Sequence, residues 1–139
     1  MALFFMSIKL TRNIKTFVDI SLDFTPNPLT GDLTTIKDDR AINNAVKNLV
    51  LITPNEVPFR RDIGSMVSGL VFELCDEASA TIINDEIRRT IEYNEPRVNI
   101  ISLVTNARPD TNDFRVILTY NIIGADETFV VEQILTPTR

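Results

Sequence analysis

The last third of the chain alternates in period two. Within Asp113 to Ile123, Phe114, Val116, Leu118, Tyr120 and Ile122 fall on one side of a strand. Strand-like runs at Arg97 to Asn106 and Glu127 to Leu135 flank it. The turn signals Pro109-Asp110 and Gly124-Ala125-Asp126 separate the runs at meander spacing, so this third predicts an antiparallel three-stranded sheet. Ile117 and Ile123 interrupt the other side of the middle strand, leaving apolar surface on both faces. Either helices cover one face and a partner the other, or the helices cover most of both.

Upstream the period changes. Ala41, Ile42, Ala45, Val46, Leu49 and Val50 form one stripe of a helix with Asp38 or Asp39 as its cap, ending before Pro54. A second helix runs from about Asp76 or Glu77 to Tyr93, with Ala80, Ile83, Ile87 and Ile91 on its apolar face. Its charges, Glu77, Asp85, Glu86, Arg88, Arg89 and Glu92, read as a solvated face. Pro96 stops this helix at about Asn94, a residue type suited to a left-handed cap. An N-terminal strand is expected over Phe17 to Phe24, followed by a structured loop, Thr25 to Asp32, rich in proline and glycine chemistry. Thr53 to Asp62 is a second loop, pinned by Pro54 and Pro58, and Met66 to Leu74 reads equally as helix or strand. These elements predict an α+β fold: one small domain over residues 1–139, with two main helices on a mainly antiparallel sheet and residues 1–15 as an extended arm.

Composition excludes several chemistries. With no histidine, no tryptophan and one cysteine, the chain holds no Ser-His-Asp triad, no His-ligated zinc and no internal disulfide. Cys75, in the apolar stretch Leu70 to Cys75, reads as a small buried hydrophobe. The net charge of −5 disfavours broad binding to nucleic acid or anionic membrane, and no apolar run approaches the ~18 residues of a membrane span. No metal or cofactor is expected. Ten of the 14 cations are arginine, the planar donor suited to fixed ion pairs and protein interfaces. The apolar start Met1 to Met6 lacks a basic region before it and a cleavage site after it, which argues against a signal peptide, and Met6 is an alternative start to Met1.

The enzymatic chemistry open to such a chain without a cofactor is carboxylate based. A glycoside hydrolase is therefore the reading to set against an assembly role, with Glu73 and Glu95 as the carboxylates in the least polar surroundings. Glu95-Pro96-Arg97 has a further character, because an extended backbone locked by Pro96 turns side chains i and i+2 to the same side. The two charges are either a local ion pair at a helix-to-strand junction or a polar fork offered to a protein partner.

At this point the chain resembles a family, the gene-25-like baseplate wedge proteins of contractile phage tails, with their counterpart in type VI secretion baseplates. The resemblance rests on Asp19 and Phe24, Asn27-Pro28 with Thr30-Gly31-Asp32, Ala41 with Leu49, and Thr53-Pro54 leading to Glu56 and Pro58-Phe59. It continues through Gly64, Leu70-Val71-Phe72-Glu73 and, above all, Ile91-Glu92-Tyr93-Asn94-Glu95-Pro96-Arg97-Val98. Asn55 stands where the family commonly has glycine, and Val71 where leucine is usual.

The resemblance implies a non-enzymatic structural protein of the virion tail baseplate, assembled in the host cytoplasm and present in six copies around the tail tube. Its implied partners are other wedge proteins and tail sheath subunits, joining the baseplate core to the first sheath ring, with no nucleic acid or membrane. Glu95, Pro96 and Arg97 inherit a contact with wedge proteins. The family's sheath subunits interlock by strand exchange, and this chain looks like the template for the first ring. On that basis Phe129, Val130, Val131, Glu132, Gln133, Ile134 and Leu135 form either an assembly strand or an ordinary strand of the fold. The traditional lysozyme label of the family implies a tail-associated peptidoglycan hydrolase as the alternative.

Overall fold

A computed structural model describes residues 17–137 apart from residues 22, 38 and 124–127. The expected arm, Asp38 as a cap, the Gly124-Ala125-Asp126 turn and Glu127 lie outside the described residues. Strand β1 (Val18–Ile20) pairs antiparallel with β2 (Thr35–Lys37), with Asp19 opposite Ile36. Helices α1 (Asp39–Leu51), α2 (Val67–Leu70) and α3 (Glu77–Asn94) follow. The chain then forms β3 (Val98–Arg108), β4 (Asp113–Ile122) and β5 (Thr128–Leu135), an antiparallel meander in which β4 is central.

The meander places Phe114, Val116, Leu118, Tyr120 and Ile122 in the core, as their alternation predicts. On the neighbouring strands Leu103 lies opposite Leu118, which in turn lies opposite Val131, so one face is a continuous apolar layer. A bulge between Ile100 and Ser102 interrupts the β3–β4 register. Helix α3 lies along β3 and packs against α1 and α2. It starts where Asp76 accepts a bond from the Ser79 amide at 2.8 Å, and it buries Ala80, Ile83, Ile87, Thr90 and Ile91. Helix α1 buries Ala41, Ile42, Val46 and Val50, and Cys75 joins the same core. Helices thus cover one face of the sheet. On the opposite face Val104, Val130 and Ile134 are exposed.

Several expectations need correction. The first strand stops at Ile20 instead of Phe24, because the Ser21 carbonyl accepts the Phe24 amide in a turn and Phe24 adopts φ 49°. The loop after it closes back into β2, which sequence reasoning did not anticipate. Asn94 stays helical and its side-chain amide donates to the Thr90 carbonyl, while the cap is Glu95 at φ −127°. Glu86 is not simply solvated, since one of its oxygens accepts the Met66 amide at 3.1 Å and so fastens the start of α2 to α3. Met66 to Leu74 resolves as the single helical turn α2 between bends.

Candidate assembly site

The Glu95-Pro96-Arg97 junction is built by the way α3 ends. The Glu95 amide still reaches the Ile91 carbonyl at 2.8 Å, and the Glu95 carbonyl accepts the Val98 amide at 3.1 Å, so the chain turns directly into β3. Arg97 then clamps both carboxylate oxygens of Glu95 through Nε and Nη2, the bidentate arrangement its planar group favours. The Glu95 side chain is 6% exposed and that of Arg97 37%. Arg97 also lies over the ring of Phe17, 4.7 Å from its centroid, immediately before β1. The Glu95 hydrogen bond, with help from the carboxylate of Asp19, raises the guanidinium pKa above its ordinary value.

One pair therefore ties the end of α3, the start of β3 and the N-terminal hairpin. The acceptor half of the fork is turned inward and fully used. What reaches the surface is the exposed ring of Pro96 and part of the guanidinium. Sequence reasoning finds the pair because Pro96 fixes its geometry. It misses Phe17 and Asp19, which carry no local signal linking them to Arg97.

Strand β5 pairs with β4 and, among the described residues, with no other strand, so it is an edge strand of the described sheet. Phe129 and Val131 lean on the core, Phe129 against Tyr120 at 5.8 Å between centroids, and Leu135 is buried. Val130, Glu132 and Ile134 face outward. Glu132 accepts from Arg115 Nε on β4 at 2.7 Å, which lowers the carboxylate pKa and raises that of the arginine. Gln133 falls on the same side as Phe129 and Val131, half-buried opposite Val116. Between β5 and α1 lies a small void of about 20 Å³, room for a single water, lined mainly by Val46, Val50, Ile87, Val131 and Leu135 with Lys47 and Gln133 beside them. The main-chain N–H and C=O groups on the outer side of such an edge strand can accept an extended segment, whatever its side chains.

The two carboxylates of the hydrolase reading are not brought together. Glu73 precedes α3 and Glu95 follows it. All 18 residues of α3, about 27 Å of helix, lie between them in the chain, whereas acid–base glycosidases hold their two carboxylates about 5–9.5 Å apart. Glu73 lines an open cleft with Phe72, Leu74, Cys75, Asn112 and Pro137, none of them a carboxylate. Glu95 has both oxygens engaged by Arg97 and none left to present to a sugar.

No curated protein matches the chain by sequence. Among solved structures, a candidate tail lysozyme of Geobacter sulfurreducens is similar in fold, with a TM-score of 0.66 at 16% identity over 73% of this chain and 92% of that one. The baseplate of the anti-feeding prophage, determined with six-fold symmetry, contains a chain with a TM-score of 0.62 at 14% identity, over 89% of this chain and 88% of that one. The family model for baseplate wedge protein gp25 matches residues 37–127, from the end of β2 through α1, α3, β3 and β4. By that match the chain belongs to the gp25 family of baseplate wedge proteins, structural components of contractile tails.

Proposed function

We propose that this protein joins the baseplate core to the first ring of tail sheath and starts sheath assembly by strand pairing. The observation that carries the reading is the place of β5 at the edge of the described sheet, paired with β4 alone among the described strands, where its outer main-chain groups are positioned to take up an incoming segment. In this arrangement six copies surround the tail tube in the virion, assembled in the host cytoplasm, and the Pro96–Arg97 surface contacts other wedge proteins. The protein acts without catalysis, cofactor, nucleic acid or membrane. The placing of Glu73 and Glu95 at opposite ends of α3, with both oxygens of Glu95 engaged by Arg97, supports that choice over peptidoglycan hydrolysis.

The test is an image reconstruction of particles carrying the tagged chain, together with the deletion phenotype. The expected result is density between the wedges and the first sheath ring, and, on deletion, tubes or wedges without sheath. A chain placed away from the sheath, or normal sheath in its absence, would overturn the reading. Release of soluble sugar from peptidoglycan that is lost in Glu73→Gln or Glu95→Gln would favour the hydrolase instead.

A further inference from the structure

The loop between α1 and α2 carries a feature that neither the fold nor the β5 edge uses. Its base is closed on itself. The Thr53 amide donates to Glu56 Oε2 at 3.0 Å, and the Ser65 amide donates to the Ile52 carbonyl at 2.8 Å. The Ser65 hydroxyl, buried beneath the loop, donates to the Val50 carbonyl at 2.6 Å. At the tip, Phe59 sits at φ 68° with its side chain wholly in solvent, at 103% relative exposure. A bulky side chain in the left-handed region is strained, and a fully exposed aromatic gains nothing from the core. Glycine or asparagine would relieve the strain, as Asn55 does at φ 74° in the same loop. Phe59 therefore carries two penalties that the isolated domain does not recover.

Its neighbours indicate what would recover them. Arg60 and Arg61 follow Phe59 directly and are both exposed, so two cations stand next to the ring, while the loop's two acids, Glu56 and Asp62, are engaged with the Thr53 amide and Arg60. Arg60 is only loosely held, its Nε 3.4 Å from Asp62 with both side chains more than half exposed. The return leg shares a cleft in which Asp62 and Gly64 face Arg89, Thr90, Tyr93 and Asn94. Tyr93 and Asn94 immediately precede Glu95, so the loop surface runs into the proposed wedge contact.

We infer that Phe59 is an anchor that enters an apolar socket on a neighbouring baseplate protein, with Arg60 and Arg61 meeting carboxylates on the rim of that socket. One aromatic ring, two cations and an acidic chain favour a protein surface over a lipid bilayer. The inference rests on the wedge reading for its setting, but its residues are distinct from the β5 edge.

The experiment incorporates full-length variants into baseplates formed in cells lacking the wild-type gene, and measures the amount of chain sedimenting with them. Phe59→Gly should melt no lower than wild type, because glycine accepts the backbone conformation, yet its incorporation should fall at least tenfold. Phe59→Ser and the double variant Arg60→Glu/Arg61→Glu should fall comparably, while Arg60→Lys/Arg61→Lys keeps most of the incorporation. Normal incorporation of Phe59→Gly and Phe59→Ser would overturn the anchor, and normal incorporation of the charge reversal would overturn the acidic rim. Phe59-dependent binding of the purified protein to phosphatidylserine vesicles would overturn the choice of a protein partner. Wild-type chain missing from the baseplate fraction would instead overturn the wedge reading beneath it.

Discussion

The hydroxyl of Tyr120 donates to Oδ1 of Asn43, fastening the middle strand of the meander to the first helix across 77 residues of sequence. Tyr120 has no exposed surface, and burial, with the carboxylates of Asp39 and Glu95 adding to it, pushes its pKa up to about 12. The folded protein therefore keeps this proton at pH values where the unfolded chain, titrating near 10, has lost it. The contribution to stability is fully present below pH about 10 and is lost as pH rises toward about 12. Tyr120→Phe should cost about 1 kcal/mol at neutral pH by removing a donor from Asn43. It should also lose less stability between pH 9 and about 11.5 than wild type does. Urea unfolding at several pH values measures both, and identical pH slopes for the two proteins would rule out Tyr120 as the titrating group.

Arg97 matters for folding as well as for docking. The sequence alone suggests that reversing its charge would leave the melting temperature within a few degrees. A nearly buried Glu95 changes that balance, because an unmatched carboxylate there is desolvated without compensation. Discounted for the partial exposure of Arg97, Arg97→Ala should cost about 1–3 kcal/mol, and Glu95→Gln in the same chain should recover much of it. Arg97→Glu should cost more than Arg97→Ala. Chemical denaturation of the four proteins gives the comparison, and equal stability of wild type and Arg97→Ala would mean that the pair is dispensable to the fold.

The loop after α1 depends on two backbone positions of different tolerance. Gly64 has φ +127°, and an added Cβ would lie 2.7 Å from the Ile52 carbonyl oxygen and 2.9 Å from the Pro54 nitrogen, both backbone atoms with little room to yield. Gly64→Ala should therefore cost about 2 kcal/mol or more. Asn55 lies in the left-handed region at φ 74°, a conformation that asparagine tolerates better than other non-glycine residues. Asn55→Gly should stay within about 0.5 kcal/mol of wild type and Asn55→Ala should lose about 1 kcal/mol. Thermal melts with matched circular dichroism would show whether the order Gly64→Ala, Asn55→Ala, Asn55→Gly holds.

What the sequence reveals follows the range of the interactions. The apolar stripe Ala80, Ile83, Ile87 and Ile91 and the alternation from Phe114 to Ile122 are local patterns, and every one of those residues is buried where the period puts it. Strand β2 is three residues long with only Ile36 half buried, too little for a period to register. Glu86 sits on the helix face that the wheel assigns to solvent, and its role depends on the Met66 amide, twenty residues away. The candidate site divides in the same way. Pro96 makes the Glu95–Arg97 pairing readable from three consecutive residues, whereas the burial of Glu95 and the ring beneath Arg97 arise from packing between opposite ends of the chain. That Phe129 to Leu135 lies at an edge follows from the strand order, which a meander leaves open until the sheet's neighbours are known.

The edge role of β5 is testable with two adjacent prolines. Successive residues of a strand turn their N–H and C=O groups to opposite neighbours, so of Val130 and Val131 one faces β4 and the other faces the outer edge. A proline removes a donor in either place, but only on the β4 side does it break a bond of the folded domain. Side-chain exposure is a separate variable: Val130 is 66% exposed, and Val131 packs against the core. Val130→Ala and Val131→Ala therefore serve as controls for lost packing. The proline facing β4 should unfold the domain or sharply lower its yield. The proline facing outward should give a folded protein that enters baseplates and yet leaves tubes without sheath, as seen by electron microscopy of assembled particles. If both proline variants build normal sheath, or both unfold while their alanine controls are stable, the templating edge is not this strand.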